Sequence, residues 1–427
     1  MKLSKYNIIK KLEQKILIYN SFTKASLFLD SNSNIDVFKD ISLFEKLSDE
    51  EKKLLIENGF VIDDSRNELN ELEYVFKQKY FDNSFQNIIL VPTLGCNFNC
   101  PYCFEKEHSC GKDDIKKYFE ILKKYAKKYF KQHNIIQISL FGGEPLLYIN
   151  EALNFLSWVK LDSQENNYSY FTSIVTNGSL LNKNILKSLL KYNLHILQIT
   201  IDSDKETHDK TRIFKNGKPS FDLLINKINN LVPYTINYEK FKFVLRINLN
   251  NTTVSRVEKS LENIDENVRP YVHLLIRAVY NTKAYKEKNN NSVEQLLSYF
   301  KMGKKLGFKI VTDKYNYQSC EACGDTKCFY LMPDLTIWKC INDLDFKQSC
   351  IGKIDDSGEP VLIPENIVNW YKKCSSTFND EKCLKCKKLP DCLGGCPLFK
   401  YKNNNNKSCR SFDMVCLPYV LWEDYDE

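Results

Sequence analysis

The chain has 427 residues, 43% of them hydrophobic and 27% charged, and a formal net charge of +7. That length allows two or three domains with a large buried core, and no run reaches the ~18 apolar residues of a membrane helix, so the composition argues for a soluble protein. Lysine and asparagine are spread along the whole sequence, so the positive charge alone does not point to nucleic acid. Cysteine is the exception to this evenness: of sixteen, three lie at 96–103, Cys110 stands apart, and twelve follow Tyr317. The opening MKLSKYNIIKKLEQK has no apolar signal-peptide core, which places the chain in the cytoplasm, where clustered cysteines bind metal or do redox chemistry.

Residues 1–85 contain no cysteine. KILIYNSFTKASLFLD, Lys15 to Asp30, predicts two strands around a turn at Asn20–Lys24. DISLFEKLSDEEKKLLIENGFVID predicts helices, with Ser48 opening a capping box and Gly59 as a stop. A hairpin followed by short helices is a small α+β module.

Residues 86–310 change pattern. Strand-like apolar runs recur at 87–93, 135–141, 170–176, 196–202, 241–248 and 272–279, with helix-length segments between them. One of these, Asp113 to His133, spaces Ile115, Tyr118, Phe119, Leu122, Ala126, Tyr129 and Phe130 as an amphipathic helix with a lysine face. Six alternating β/α units predict a parallel sheet closed part-way into a (β/α)6 barrel, whose active site lies at the C-terminal strand ends. Three unusual loops fall there: the cysteines after the first run, Gly142–Pro145 after the second, and Thr176–Gly178 at the end of the third. Residues 311–427 are poor in periodicity and rich in cysteine, so this segment needs staples, which metal clusters can supply.

Cys96, Cys100 and Cys103 are spaced C-x3-C-x2-C. A [4Fe–4S] cube normally takes four thiolates, so three leave one iron open for catalysis. From spacing alone, a zinc loop completed by Cys110 or His108 stays open as an alternative.

CNFNCPYC, which includes Tyr102, resembles the cluster motif of the radical S-adenosylmethionine (SAM) enzymes. The resemblance implies that the open iron chelates the amino and carboxylate groups of SAM. One electron then cleaves SAM to methionine and a 5′-deoxyadenosyl radical, which takes hydrogen from a substrate. It further implies that Gly142, Gly143 and Glu144 of GGEP serve the amino group, that Thr176 and Asn177 belong to a second cofactor loop, that Asp202 lies near the ribose, and that Arg212 meets the carboxylate. The likeness covers residues ~87–310.

CLKCKKLPDCLGGC carries Cys383, Cys386, Cys392 and Cys396 and resembles the SPASM domain, which holds auxiliary [4Fe–4S] clusters. By that resemblance one cluster takes Cys323, Cys328 and Cys340 with Cys396, leaving Cys320 over. A second takes Cys383, Cys386 and Cys392 with Cys409 or Cys416. Cys350 and Cys374 have no assigned role. A zinc ribbon is the alternative, since C-x2-C pairs also bind zinc.

SPASM proteins that act on peptides suggest a maturase that cross-links a ribosomally made precursor through a thioether or carbon–carbon bond. Residues 1–85 resemble the module that captures the precursor's leader as an added strand. The implied partners are that precursor peptide and an electron donor such as flavodoxin or ferredoxin, with neither membrane nor nucleic acid. The anaerobic sulfatase-maturating enzymes are the alternative, but they carry a catalytic aspartate directly after the cysteine matching Cys340, where this chain has Ile341. RNA modification is a third reading, with no RNA-binding motif to support it.

Overall fold

The structure, a computed structural model, describes residues 1–12, 15–33, 35–103, 105, 114–249, 252–278, 293–311, 327–402 and 421. It divides into two compact units.

One unit joins the N-terminal 81 residues to the chain from Val368 onward. Strands β1 (Lys2–Leu3), β2 (Asn7–Lys11), β3 (Lys15–Asn20) and β4 (Ser26–Asp30) are followed by α1 (Asp49–Glu57), β5 (Val61–Ile62) and α2 (Glu68–Phe81). β2, β3 and β4 form an antiparallel sheet in that order, with β3 central, and β1 pairs with β5. β3 is apolar on both faces because both are covered. Ile16 and Ile18 pack with Phe44, Leu55 and Phe60, while Leu17 and Tyr19 on the other face are equally buried. The turn from β3 to β4 is built by Asn20, whose Oδ1 accepts the Phe22 and Thr23 N–H groups at 2.9 and 3.0 Å. The capping box forms as its spacing predicts: Ser48 Oγ accepts Glu51 N–H, and Glu51 reaches back to Ser48 N–H. α2 packs its aromatic side on the C-terminal segment, with Phe76 against Phe378 and both Tyr80 and Phe81 against Tyr371.

The other unit begins at Asp82 and includes the segment ending at Ile367. Its strands are β6 (Phe85–Leu90), β7 (Ile135–Leu140), β8 (Ser169–Thr176), β9 (Leu194–Asp202), β10 (Lys242–Leu249) and β11 (Val272–Ala278). They pair in parallel, each with the next, and match the six apolar runs to within a few residues. The intervening helices include α3 (Ile115–Tyr129), α4 (Ile149–Glu165), α5 (Lys183–Leu190), α6 (Lys205–Thr211), α7 (Phe221–Leu231) and α8 (Val254–Leu261). α9 (Val293–Lys305) leads into the short β12 (Lys309–Ile310), which extends the sheet beyond β11.

Beyond β6 the sheet grows in a way no local pattern announces. β13 (Cys328–Leu331) pairs with β6 in parallel, and β14 (Thr336–Trp338), β15 (Cys350–Ile354) and β16 (Pro360–Leu362) follow antiparallel. The cysteine-bearing hairpin is thus part of the eleven-stranded sheet. α3 buries Tyr118, Phe119, Leu122 and Ala126 as expected. Part of its lysine face binds an acidic turn: Lys117 pairs with Asp356 at 2.9 Å and Lys128 with Glu359 at 2.5 Å.

Candidate active site

The C-terminal ends of five neighbouring strands converge on the three-cysteine loop. After β6 the chain runs through Thr93 and Gly95 into Cys96, Cys100 and Cys103, and the Gly142–Pro145 loop after β7 docks on it. Gly143 N–H donates to Thr93 O at 3.0 Å and Glu144 N–H to Gly95 O at 2.9 Å. A Cβ on Gly143 would stand 2.2 Å from Gly95 O, and Gly142 holds φ +119° with Thr93 O 2.5 Å from its Cβ position. The two glycines therefore permit the close approach of loop to loop.

Glu144 is fully buried and clamps β7 to β8. Its Oε1 accepts from Thr176 Oγ1 at 2.7 Å and Leu146 N at 3.0 Å, and its Oε2 accepts from Asn177 N at 2.8 Å. Burial raises its pKa. A carboxylate offers about four acceptor positions, so roughly one remains, on Oε2.

Asn177 reaches the cysteine loop. Its Nδ2 donates to Asn97 Oδ1 at 2.8 Å and lies 3.5 Å from Cys96 Sγ, and the Phe98 N–H also points at that sulfur, 3.4 Å away. Asn97 is tied in turn to Ser179 at 2.8 Å. The loop's outer edge zips onto the chain after α6: Asn99 N–H donates to Ile213 O, Lys215 N–H donates to Asn97 O, and Phe98 packs edge-on against Phe214 at 4.7 Å.

At the end of β9, Asp202 has no exposed surface. The Tyr102 hydroxyl lies 2.7 and 2.8 Å from its two oxygens, Thr211 Oγ1 donates at 2.6 Å, and Asn248, at the end of β10, donates at 3.1 Å. Arg212 donates to the Tyr102 hydroxyl at 3.0 Å, while its buried Nε has no hydrogen-bond partner among the described residues. Tyr102, Asp202 and Arg212 thus form one network holding the middle of the motif. Thr93, Asn97, Ser179, Thr211 and Asn248 join the site without a sequence signal of their own beyond their places next to the motif loops. Glu105, two residues past Cys103, is buried with Oε1 unpartnered among the described residues. Burial, then the nearby Glu144, pushes its pKa up to about 8.

Burial also pushes the Cys100 thiol up to about 12, with Arg212 opposing the shift and Asp202, Cys103 and Cys96 adding to it. The three cysteines are thiols rather than disulfides and within electrostatic reach of one another. Among the described residues no three His, Cys, Asp or Glu side chains are set to hold a single metal ion. A cube binds each thiolate at a different corner, so its ligands surround it instead of meeting at a point. Soft thiolate donors, N–H groups directed at Cys96 Sγ and the Arg212 charge suit an anionic cluster.

The other cysteines fall in two sets. Cys328 begins β13 and Cys340 follows β14, both buried. The hairpin register pairs Tyr330 with Trp338, which continued two places sets Cys328 opposite Cys340, and Lys339 Nζ binds Cys328 O at 2.6 Å. In the unit containing the N-terminus, Cys383 and Cys392 lie on the helical turns Glu381–Leu384 and Leu389–Cys392, and Cys386 lies in the link between them. Leu393, Gly394 and Gly395 all have positive φ and reverse the chain before Cys396. Cys110, His108, Cys320, Cys323, Cys409 and Cys416 lie outside the described residues.

A sheet of parallel strands with a three-thiol loop at its C-terminal edge defines a class: residues 90–264 match the Radical SAM superfamily, whose enzymes use SAM and a [4Fe–4S] cluster. The chain is 26% identical to a cysteine-type anaerobic sulfatase-maturating enzyme of Clostridium novyi, over 77% of this chain and 93% of that one. It is 25% identical to the radical SAM cyclopropyl synthase TigE of Paramaledivibacter caminithermalis, over 91% of this chain and 81% of that one. Its fold is similar to that of Streptococcus suis SuiB, with a TM-score of 0.53 and 17% identity over 97% of this chain and 100% of that one. SuiB has also been solved bound to its precursor peptide SuiA. Among the described residues no helix is long and apolar enough to cross a membrane.

Proposed function

We propose that the chain is a peptide maturase that abstracts hydrogen from a ribosomally made precursor and installs a cross-link. The observation that carries this reading is the open outer edge of β4: within the described residues it pairs only with β3, so an extended leader peptide has a strand to add to. The likeness to the cyclopropyl synthase covers 91% of this chain, and it favours a carbon–carbon bond over a thioether.

In this reading Cys96, Cys100 and Cys103 hold the catalytic cluster, which supplies the electron that cleaves SAM. The remaining acceptor position of Glu144 would take an N–H of the SAM ammonium, and Arg212, whose Nε has no partner among the described residues, would serve its carboxylate. Tyr102 and Asp202 hold the loop against Arg212, and Thr176 and Asn177 hold Glu144 and Cys96 in place. Cys328 and Cys340 contribute to one auxiliary cluster, and Cys383, Cys386 and Cys392 to another. Flavodoxin or ferredoxin supplies the electrons.

Sulfatase maturation has the support of the Clostridium novyi relative. Against it stands Ile341, which is 2% exposed and packs among Val91, Met332, Trp338 and Leu344, an apolar site where an ionised aspartate would lack a partner. The test is anaerobic incubation of the reconstituted enzyme, SAM and reductant with the peptide encoded beside its gene. Mass spectrometry should show loss of two hydrogens per cross-link. An unchanged peptide, with a sulfatase cysteine converted to formylglycine instead, would sink the proposal.

A further inference from the structure

Tyr6 lies between β1 and β2, completely buried, and its hydroxyl has no hydrogen-bond partner among the described residues. An unsatisfied buried hydroxyl is destabilising, so a partner outside the described residues would stabilise this one. The surroundings show where that partner sits. Tyr6 O accepts the Ser21 N–H at 3.2 Å, and the Ser21 hydroxyl donates to the carbonyl of Lys387, the residue after Cys386. Farther along, Asp391, the residue before Cys392, accepts from the Tyr19 hydroxyl at 3.2 Å and pairs with Lys24. The N-terminal sheet thereby grips the chain next to two cysteines of one set. Tyr6 itself is fixed by stacking on Phe22, 5.8 Å away at 15°. Lys387 adjoins Cys386, so the Ser21 contact ties Tyr6 to the chain beside that cysteine; burial, then Glu68, then Cys386 raise the pKa of the Tyr6 hydroxyl.

We propose that the Tyr6 hydroxyl donates a hydrogen bond to sulfur at the Cys386 corner of an auxiliary iron–sulfur cluster, so that the N-terminal sheet helps set that cluster's potential. The inference rests on Cys386 being a cluster ligand. Hydrogen bonds to cluster sulfurs tune reduction potential, and a donor stabilises the more negative, reduced state. Removing the donor lowers the midpoint.

The test is a redox titration followed by electron paramagnetic resonance on reconstituted full-length enzyme carrying Cys96→Ala, Cys100→Ala and Cys103→Ala, so that only auxiliary signals remain. In that background Tyr6→Phe should lower the midpoint of one signal, reducing the ratio of reduced to oxidised cluster at fixed potential about tenfold, or ~59 mV for one electron. Tyr170→Phe removes another buried, unpartnered hydroxyl, in β8 of the other unit, and should shift neither signal. Unchanged midpoints in Tyr6→Phe would overturn the inference and leave Cys386 ligation standing. A lower melting temperature of Tyr6→Phe before reconstitution would also overturn it, because the hydroxyl would then have a protein partner. Absence of any auxiliary signal in the parent would overturn the ligand reading and the inference together.

Discussion

The two short cysteine loops, Cys96–Cys103 and Cys383–Cys396, use the same donor chemistry and are supported in opposite ways. The first hangs from the ends of neighbouring parallel strands, and its partners, Gly143, Asn177, Asp202 and Arg212, all come from the loops of the same sheet. The second runs over two single helical turns and the link between them and is steadied by Ser21, Tyr19 and Lys24, more than 360 positions earlier in the chain. A site at strand ends inherits its rigidity from the ladder beneath it. A site on short turns must borrow rigidity from a distant element, and it becomes sensitive to whatever that element does. In this chain that element is also the sheet proposed to receive the precursor.

The largest expected effect separates the loops by chemistry. The triple change Cys96→Ala, Cys100→Ala and Cys103→Ala should abolish 5′-deoxyadenosine formation and remove one cluster's iron, with auxiliary iron retained by assay. Continued SAM cleavage by this variant would show that the first loop is not the catalytic one. Next, Gly143→Ala forces a Cβ into Gly95 O and should shift the first loop alone. Misplacement by about 1 Å is enough to cost roughly 100-fold, to be read as the rate of 5′-deoxyadenosine release. A wild-type rate would mean that the loop docking does not position the cysteines. Asp391→Ala should act on the second loop only. It removes one acceptor each from Lys24 and Tyr19, and losing hydrogen bonds to a charged group costs on the order of 2 kcal/mol, visible by calorimetry together with reduced auxiliary iron. Equal loss of catalytic iron would erase the contrast drawn between the loops. The smallest effect calibrates the rest: Ser48→Ala removes the N-cap of α1, away from both loops, and should cost about 1 kcal/mol with iron content and SAM cleavage unaltered.

Much of this was legible because it is local. Apolar runs between helical segments marked all six parallel strands of the barrel, and turn chemistry marked the Lys15–Asp30 hairpin. The apolar run of β3 marked a strand, and the cover on both its faces came from the tertiary structure. The C-x3-C-x2-C spacing and the GGEP loop marked the site; the structure adds that the glycines admit the Thr93–Gly95 backbone. Asn248 and Thr211 as holders of Asp202 were invisible, since an asparagine at a strand end and a threonine in a helix carry no signal until their neighbours are known.

The sequence by itself determined which segments coil or extend, where helices are capped, and which residues have the chemistry to bind iron, because periodicity, capping and ligand spacing act over a few residues. Only the tertiary structure decided that β13 joins β6, that Ile341 lies in an apolar pocket, and that Tyr19, Ser21 and Lys24 meet the Cys383–Cys396 loop. Those contacts depend on which distant surfaces bury each other. The free energy of burial rewards area and fit without regard to separation along the chain.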